Sequence, residues 1–149
     1  MTDAFAVREM TAADVPSVAA IDRECIENPW NEKLFRESMD EPQYLFLVAE
    51  ASGRIAGYAG LMMSLDEGEI MNIAVTAPQR RRGIARALMT ELMRRGRQRG
   101  ALAFTLEVRS SGAGAIALYE SLGFRREGLR RGYYENPRED AVIMWKREV

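Results

Sequence analysis

A chain of 149 residues with net charge −1 has room for one domain, residues 1–149, and 47% hydrophobic and 29% charged residues suit a soluble globular domain with a core. It contains no His and one Cys, Cys25. Those counts exclude Ser-His-Asp and Cys-His catalysis, an internal disulfide, and any His or Cys cluster for zinc or iron–sulfur, leaving carboxylates, Tyr, Ser, Thr, Cys25, Lys, Arg and backbone amides for chemistry.

Phe5 to Met10 reads as a short strand. Thr11-Ala-Ala-Asp14 then opens a helix, with Asp where a capping box usually has Glu, and the helix runs to about Ile26 through Val15, Val18, Ala19 and Ile21. Pro29–Trp30 breaks it. Asn31 caps a second helix, Glu32 to Met39, with Leu34 and Phe35 expected to face inward. Tyr44 to Glu50 and Arg54 to Met63 read as two strands joined by a tight turn at Ser52–Gly53. Glu69 to Val75 is a further strand, apolar enough to be expected buried on both faces. Pro78 to Arg82 is a polar loop, and Gly83 to Arg99 a helix with Ile84, Leu88, Leu92 and Met93 on its apolar side, closed by Gly100. Phe104 to Val108 is a strand, Ala113 to Leu122 a helix closed by Gly123, and Phe124 to Leu129 and Ala141 to Lys146 the last two strands. The order is βααβββαβαββ, an α/β (α+β) class with a mixed, mostly antiparallel sheet flanked by helices and one parallel pair at the central crossover.

The first nine residues carry Asp3, Arg8 and Glu9 and no apolar stretch of the signal-peptide kind. No run approaches the ~18 apolar residues of a membrane-spanning helix. A lone thiol suits a reducing cytoplasm. The small net charge hides an asymmetry: residues 1–70 carry −9 and residues 71–149 carry +8, and 19 of the 21 cations are Arg. Two ligands of opposite sign on one domain would fit that split.

The strongest chemical signal is Ile73-Ala74-Val75 followed by Arg80-Arg-Arg-Gly-Ile-Ala85 and a helix. Gly83 lets a ligand approach the backbone, Ala85 stays small, and the first N–H groups of the helix favour an anion such as a diphosphate. The spacing is neither a Walker A loop nor Gly-x-Gly-x-x-Gly. An Arg-rich solvated helix start would read the same on this segment alone. Arg80 to Arg99 holds eight Arg and one acid, Glu91, so an RNA-binding module without catalysis is the competing reading from another class. No aromatic residue interleaves with that cluster to stack a base.

Arg80-x-x-Gly-x-Ala85 after Asn72-Ile-Ala-Val75, in this element order, resembles the GNAT acetyltransferases. The resemblance covers nearly the whole chain. Pro29–Trp30, Leu106-Glu-Val-Arg109, Ala113 to Phe124, Tyr133–Tyr134 and Glu139-Asp-Ala141 are similar to the branch of that family that acetylates the N-terminal alanine of a ribosomal protein. It implies acetyl-CoA as co-substrate and no metal, with direct transfer in a ternary complex. Pantetheine would lie along Ile73, Ala74 and Val75, and the pyrophosphate on the amides of Arg81, Arg82, Gly83, Ile84, Ala85 and Arg86. Where this branch usually has a CoA-contacting Asn, the chain has Gly112, so one side-chain hydrogen bond is lost, ~1 kcal/mol.

The resemblance also assigns the catalytic pair. Strand alternation alone makes Glu107 an ordinary solvent-facing Glu; the resemblance makes it the base. Helical spacing alone makes Tyr119 a core aromatic; the resemblance makes it the acid that protonates the departing thiolate. Trp30, Tyr133 and Tyr134 would flank the acceptor groove, and Glu69 and the acidic half would suit a basic N-terminal peptide. Cys25 reads as a small buried residue with no activating cation beside it in sequence. The implied partner is the N-terminal peptide of a small-subunit ribosomal protein, with neither nucleic acid nor membrane expected. Lysine side chains, other protein N-termini or a small amine are the alternative acceptors, because the motifs fix the donor better than the acceptor.

Overall fold

The computed structural model describes residues 4–80 and 83–147. Its elements are β1 (Phe5–Glu9), α1 (Val15–Cys25), α2 (Glu32–Met39), β2 (Tyr44–Ala51), β3 (Arg54–Ser64), β4 (Glu67–Val75), α3 (Ile84–Gln98), β5 (Ala103–Arg109), α4 (Ala113–Ser121), β6 (Arg125–Tyr134) and β7 (Glu139–Arg147). Short 3-10 turns at Ala12–Asp14 and Ala77–Gln79 lead into α1 and follow β4. The strands form one seven-stranded sheet in the order β1-β2-β3-β4-β5-β7-β6. Only β4 and β5 pair in parallel; the other described pairs are antiparallel, as the single central crossover demands.

Two apolar layers cover the sheet. On one face α3 and α4 bring Ile84, Leu88, Met89, Leu92, Met93, Ile116 and Tyr119 onto Leu45, Leu47, Leu61, Phe104 and Met144. On the other, α1 and α2 bring Val15, Val18, Ala19, Ile21 and Phe35 onto Phe46, Val48 and Tyr58. Each large side chain so buried contributes ~1.5–3 kcal/mol. The sheet and α3 approach closely at Gly96, where a Cβ would sit 2.7 Å from the Phe104 ring, so a residue that looks like a helix breaker is a packing contact.

Three expectations need correction. The strand buried on both faces is β2, not β4: Leu45 and Leu47 face α3 while Phe46 and Val48 face α1. In β4, Glu67 and Glu69 are exposed and Met71, Asn72, Ile73 and Val75 half-buried, because that strand borders open cavities. Leu34 is exposed, since an eight-residue helix buries one side only and here that side is Phe35 and Ser38. The sixth strand runs on to Tyr134, placing Tyr133 and Tyr134 at its end; it is a largely exposed edge strand without the alternation that marks a half-buried one.

Before α1, Asp14 works as the Glu of a capping box, accepting from the Thr11 N–H at 2.8 Å. Arg8 grips the same carboxylate through two nitrogens at 2.7 and 2.9 Å. The guanidinium, chiefly, holds Asp14 down at about 2 from 3.8, so its stabilisation is present above 3.8 and fades as pH falls toward 2. Accordingly Asp14→Asn is expected to lower the melting temperature at pH 7, with the gap to wild type narrowing as pH drops through that window. A gap constant with pH would show that Asp14 acts without its charge.

Candidate active site

β4 and β5 pair over three positions, Glu67–Glu69 against Ala103–Thr105, and then part. The cause is visible in the register of β4 with β3: Gly60 faces Asn72 and Leu61 faces Ile70, so Met71 is an extra, bulged residue. A bulge bends its strand and increases local twist. From Ile70 onward the edge of β4 turned toward β5 has no strand partner among the described residues, and two cavities occupy the gap.

The first cavity, about 420 Å³, is lined by the α1–α2 segment (Cys25 to Asn28), by Ile70 to Ile73 of β4, by Leu106 to Arg109 of β5, and by Tyr119, Tyr133 and Tyr134. The second, about 440 Å³, is lined by Ile73, Val75, Arg80, the start of α3 from Gly83 to Arg86, and Gly114, Ala115, Leu118 and Tyr119 of α4. Ile73 and Tyr119 belong to both, so the cavities meet at those two side chains.

In the first cavity Glu107 is held by one oxygen. Oε1 lies 3.3 Å from Arg130 Nε, and Oε2 is buried with no hydrogen-bond partner among the described residues. A buried carboxylate oxygen without a donor is costly and rare outside functional sites. Glu69 does not line the cavity but sits near enough that, after loss of solvent, repulsion from Glu107 pushes its carboxyl up while Arg130 pulls it down. Tyr133 is half exposed, Arg130 lies 5.6 Å over its ring, and it meets Tyr134 edge-on at 5.1 Å.

Tyr119 is 7% exposed and packs edge-on to Phe124, so the helical spacing and the site both claim it. Burial first, then the nearby Tyr134, pushes its hydroxyl up to about 12. It therefore keeps its proton throughout the neutral range, as a donor must.

In the second cavity Gly83 caps α3 at φ +80, a left-handed conformation that favours glycine, and nothing lies within 4 Å of where a Cβ would stand. The amides of Ile84, Ala85 and Arg86 open a 15-residue helix, where the macrodipole is positive. Ile73 and Val75 turn their side chains into this cavity, whereas Ala74 packs against α1 and can contribute only backbone. Arg86 crosses to α4, donating to Ser121 Oγ at 2.8 Å. Arg81 and Arg82, expected in the phosphate loop, lie outside the described residues. At Gly112, the N-cap of α4, a Cβ would come within 3.1 Å of the Arg109 carbonyl.

Trp30 is not brought to either cavity. Its ring packs among Phe35, Tyr44 and Phe46 with centroids 5.4–6.1 Å away, and its backbone N–H donates to the buried Asp22 at 2.8 Å. Asp22 also accepts the Tyr58 hydroxyl, which sits close to Asn72 of the cavity wall. This buried chain, anchoring the α1–α2 segment, had no periodic signal. Cys25 does have a cation beside it: Arg80 approaches its Sγ at 3.5 Å from far along the chain while donating to the Val75 carbonyl at 3.0 Å. The charge division by chain halves does not carry into space, because Arg109 of the basic half pairs with Glu27 of the acidic half at the first cavity. Much of the Arg cluster is engaged within the fold: Arg94 and Arg95 pair with Glu91 at 2.6 Å, and Arg99 donates to the Pro42 and Tyr44 carbonyls. Among the described residues no helix is long and apolar enough to cross a membrane.

The family model of the acetyltransferase (GNAT) family matches residues 15–124. The chain is 39% identical over 140 residues to the ribosomal protein bS18-alanine N-acetyltransferase of Escherichia coli K12, covering 93% of this chain and 94% of that one. It is 33% identical to the N-alpha-acetyltransferase RimI of Mycobacterium tuberculosis, over 96% and 92% of the two chains. The crystal structure of the ribosomal-protein-S18-alanine N-acetyltransferase from Escherichia coli superposes with a TM-score of 0.87 at 37% identity, covering 97% of this chain and 94% of that one.

Proposed function

The chain belongs to the GNAT acetyltransferase family, whose co-substrate is acetyl-CoA, and from that premise we propose that it acetylates the α-amino group of a ribosomal-protein N-terminus beginning with alanine. The observation that carries this reading is the meeting of two cavities at Ile73 and Tyr119, one holding the unpartnered Glu107 oxygen and the other the amides of α3.

The second cavity is the donor side. The start of α3 and Arg80 and Arg86 suit the diphosphate, and the unpaired edge of β4 around Ile73 offers backbone groups to pantetheine as it would to an added strand. Bound there, acetyl-CoA supplies a thioester carbonyl and a thiolate leaving group.

The first cavity is the acceptor side. Glu107 Oε2 takes a proton from the amine, directly or through one water, so that the neutral nitrogen attacks the thioester carbon. An α-amino group with pKa ~8 gives up that proton far more readily than lysine at ~10.4. As the C–S bond breaks, the Tyr119 hydroxyl passes its proton to the sulfur. Backbone N–H groups near Asn72 to Ala74 face the developing oxyanion. Glu69, Tyr133 and Tyr134 border the path of the acceptor peptide. Transfer is direct, and Cys25 carries no acyl group.

A thiol-release assay tests this: free thiol should appear when acetyl-CoA and an Ala-starting peptide are both present. Thiol release indifferent to the peptide would refute it. Tyr119→Phe is expected to lower kcat by about 10²-fold while leaving the stabilisation by CoA in place. A wild-type kcat in this variant would remove Tyr119 from the acid role.

A further inference from the structure

Arg109 makes more contacts at the first cavity than a wall residue needs. It ends β5, two positions past Glu107 and on the same face. Its Nη1 donates to the Pro137 carbonyl at 3.2 Å and to Glu139 Oε1 at 3.1 Å. Its Nη2 donates to Glu27 Oε2 at 2.5 Å and to the Glu135 carbonyl at 3.2 Å. The guanidinium carbon lies 4.4 Å over the ring of Tyr134.

Of these partners Glu27 and Tyr134 line the cavity, on separate elements, and Glu135, Pro137 and Glu139 follow behind Tyr134. Glu27 belongs to the α1–α2 segment, while Glu135, Pro137 and Glu139 belong to the β6–β7 turn and the start of β7. Glu139 is itself fixed by the Ser110 hydroxyl at 3.1 Å and the Ser111 N–H at 2.5 Å. The contacts with Ser111, followed by Arg109 and Ser110, hold Glu139 down at about 2, so it stays anionic at working pH. The side chains of Arg109, Glu27 and Glu139 are 29%, 24% and 14% exposed, which sets them apart from a freely solvated surface pair. Only a planar fork with several fixed donors serves two carboxylates, two carbonyls and a ring face together; an ammonium cannot.

We propose that Arg109 is a positioning residue that sets the separation of the two walls of the acceptor cavity, and so controls how the acceptor chain is held. It rests on the reading of that cavity as the acceptor side. Arg109 ties the walls through its guanidinium and does not touch the donor cavity. Its loss leaves Glu107, Tyr119 and the start of α3 in place but lets the α1–α2 segment and the β6–β7 turn drift apart.

The test uses the full chain with Arg109→Lys and, separately, Glu27→Gln, which cuts a single one of these ties. Each variant is expected to raise the KM for an Ala-starting peptide about tenfold, as loss of a hydrogen bond to a charged group does, with kcat within about threefold of wild type. The shift in melting temperature on adding CoA should be unchanged. The double variant should do little more than either alone, because both break the same tie. Unchanged acceptor KM in Glu27→Gln overturns the proposal even if Arg109→Lys fails to fold. So does a parallel loss of kcat and of the CoA shift, which would mark a general structural role. Amide hydrogen exchange without substrates gives an independent arm: Glu27→Gln should speed exchange at residues 26–30 and 133–136, and unaltered exchange there contradicts the tie. Wild-type protein inactive on every amine acceptor would instead refute the acetyltransfer reading, leaving exchange to decide the tie.

Discussion

Glu107→Gln is expected to cut kcat by about 10²–10⁴-fold, the span a positioned proton acceptor contributes. The change keeps the shape of the side chain, so the fold and cavity should persist. It removes the proton acceptor at Oε2, the oxygen that has no partner among the described residues. It also removes the charge that pairs with Arg130 at 3.3 Å. Donor binding should be untouched, because Glu107 lines the first cavity and not the second. The variant should therefore show the full CoA-induced rise in melting temperature with almost no turnover. Turnover at the wild-type rate would mean that the amine loses its proton to water or to another group.

At the other end of the site, Gly83→Trp should abolish stabilisation by CoA. Gly83 stands at φ +80 with open space around it, at the amides proposed to receive the diphosphate. An indole there fills the approach. Backbone strain alone would also lower stability, by ~1–2 kcal/mol for any residue with a Cβ at a left-handed position. Gly83→Ala separates the two effects: it carries the strain without the bulk, so it should melt lower yet still respond to CoA. A full CoA response in Gly83→Trp would move the diphosphate away from the start of α3.

The order of elements was legible because each carries a local signal: capping at Asn31, turns at Ser52–Gly53, the 3.6-residue stripe of α3 and alternation in β5. The parallel pair followed from one helix between two strands. What failed to show depended on contacts far apart in sequence. The Met71 bulge leaves no local mark, yet it parts β4 from β5 and makes room for both cavities. Apolar content could not rank β2 above β4 for burial, because burial depends on which strand the helices cover. Trp30 sits in the right loop, but its ring is drawn into the aromatic cluster beneath α2. Arg80 reaches Cys25, and Arg109 reaches Glu27, across distances no spacing rule spans. Glu107 and Tyr119 were assigned by resemblance rather than by pattern, and the geometry adds an unpaired oxygen and a retained proton in support of those roles.

The proposed acceptor is an α-amino group. Mass spectrometry of the products decides it, with acetyl-CoA and two matched peptides, one beginning with a free Ala and the other N-blocked and carrying Lys. One acetyl group on the α-nitrogen of the first peptide and little on the second is the expected result. Preferential acetylation of the blocked, Lys-containing peptide would contradict it, leaving the fold and donor site standing and the acceptor wrong.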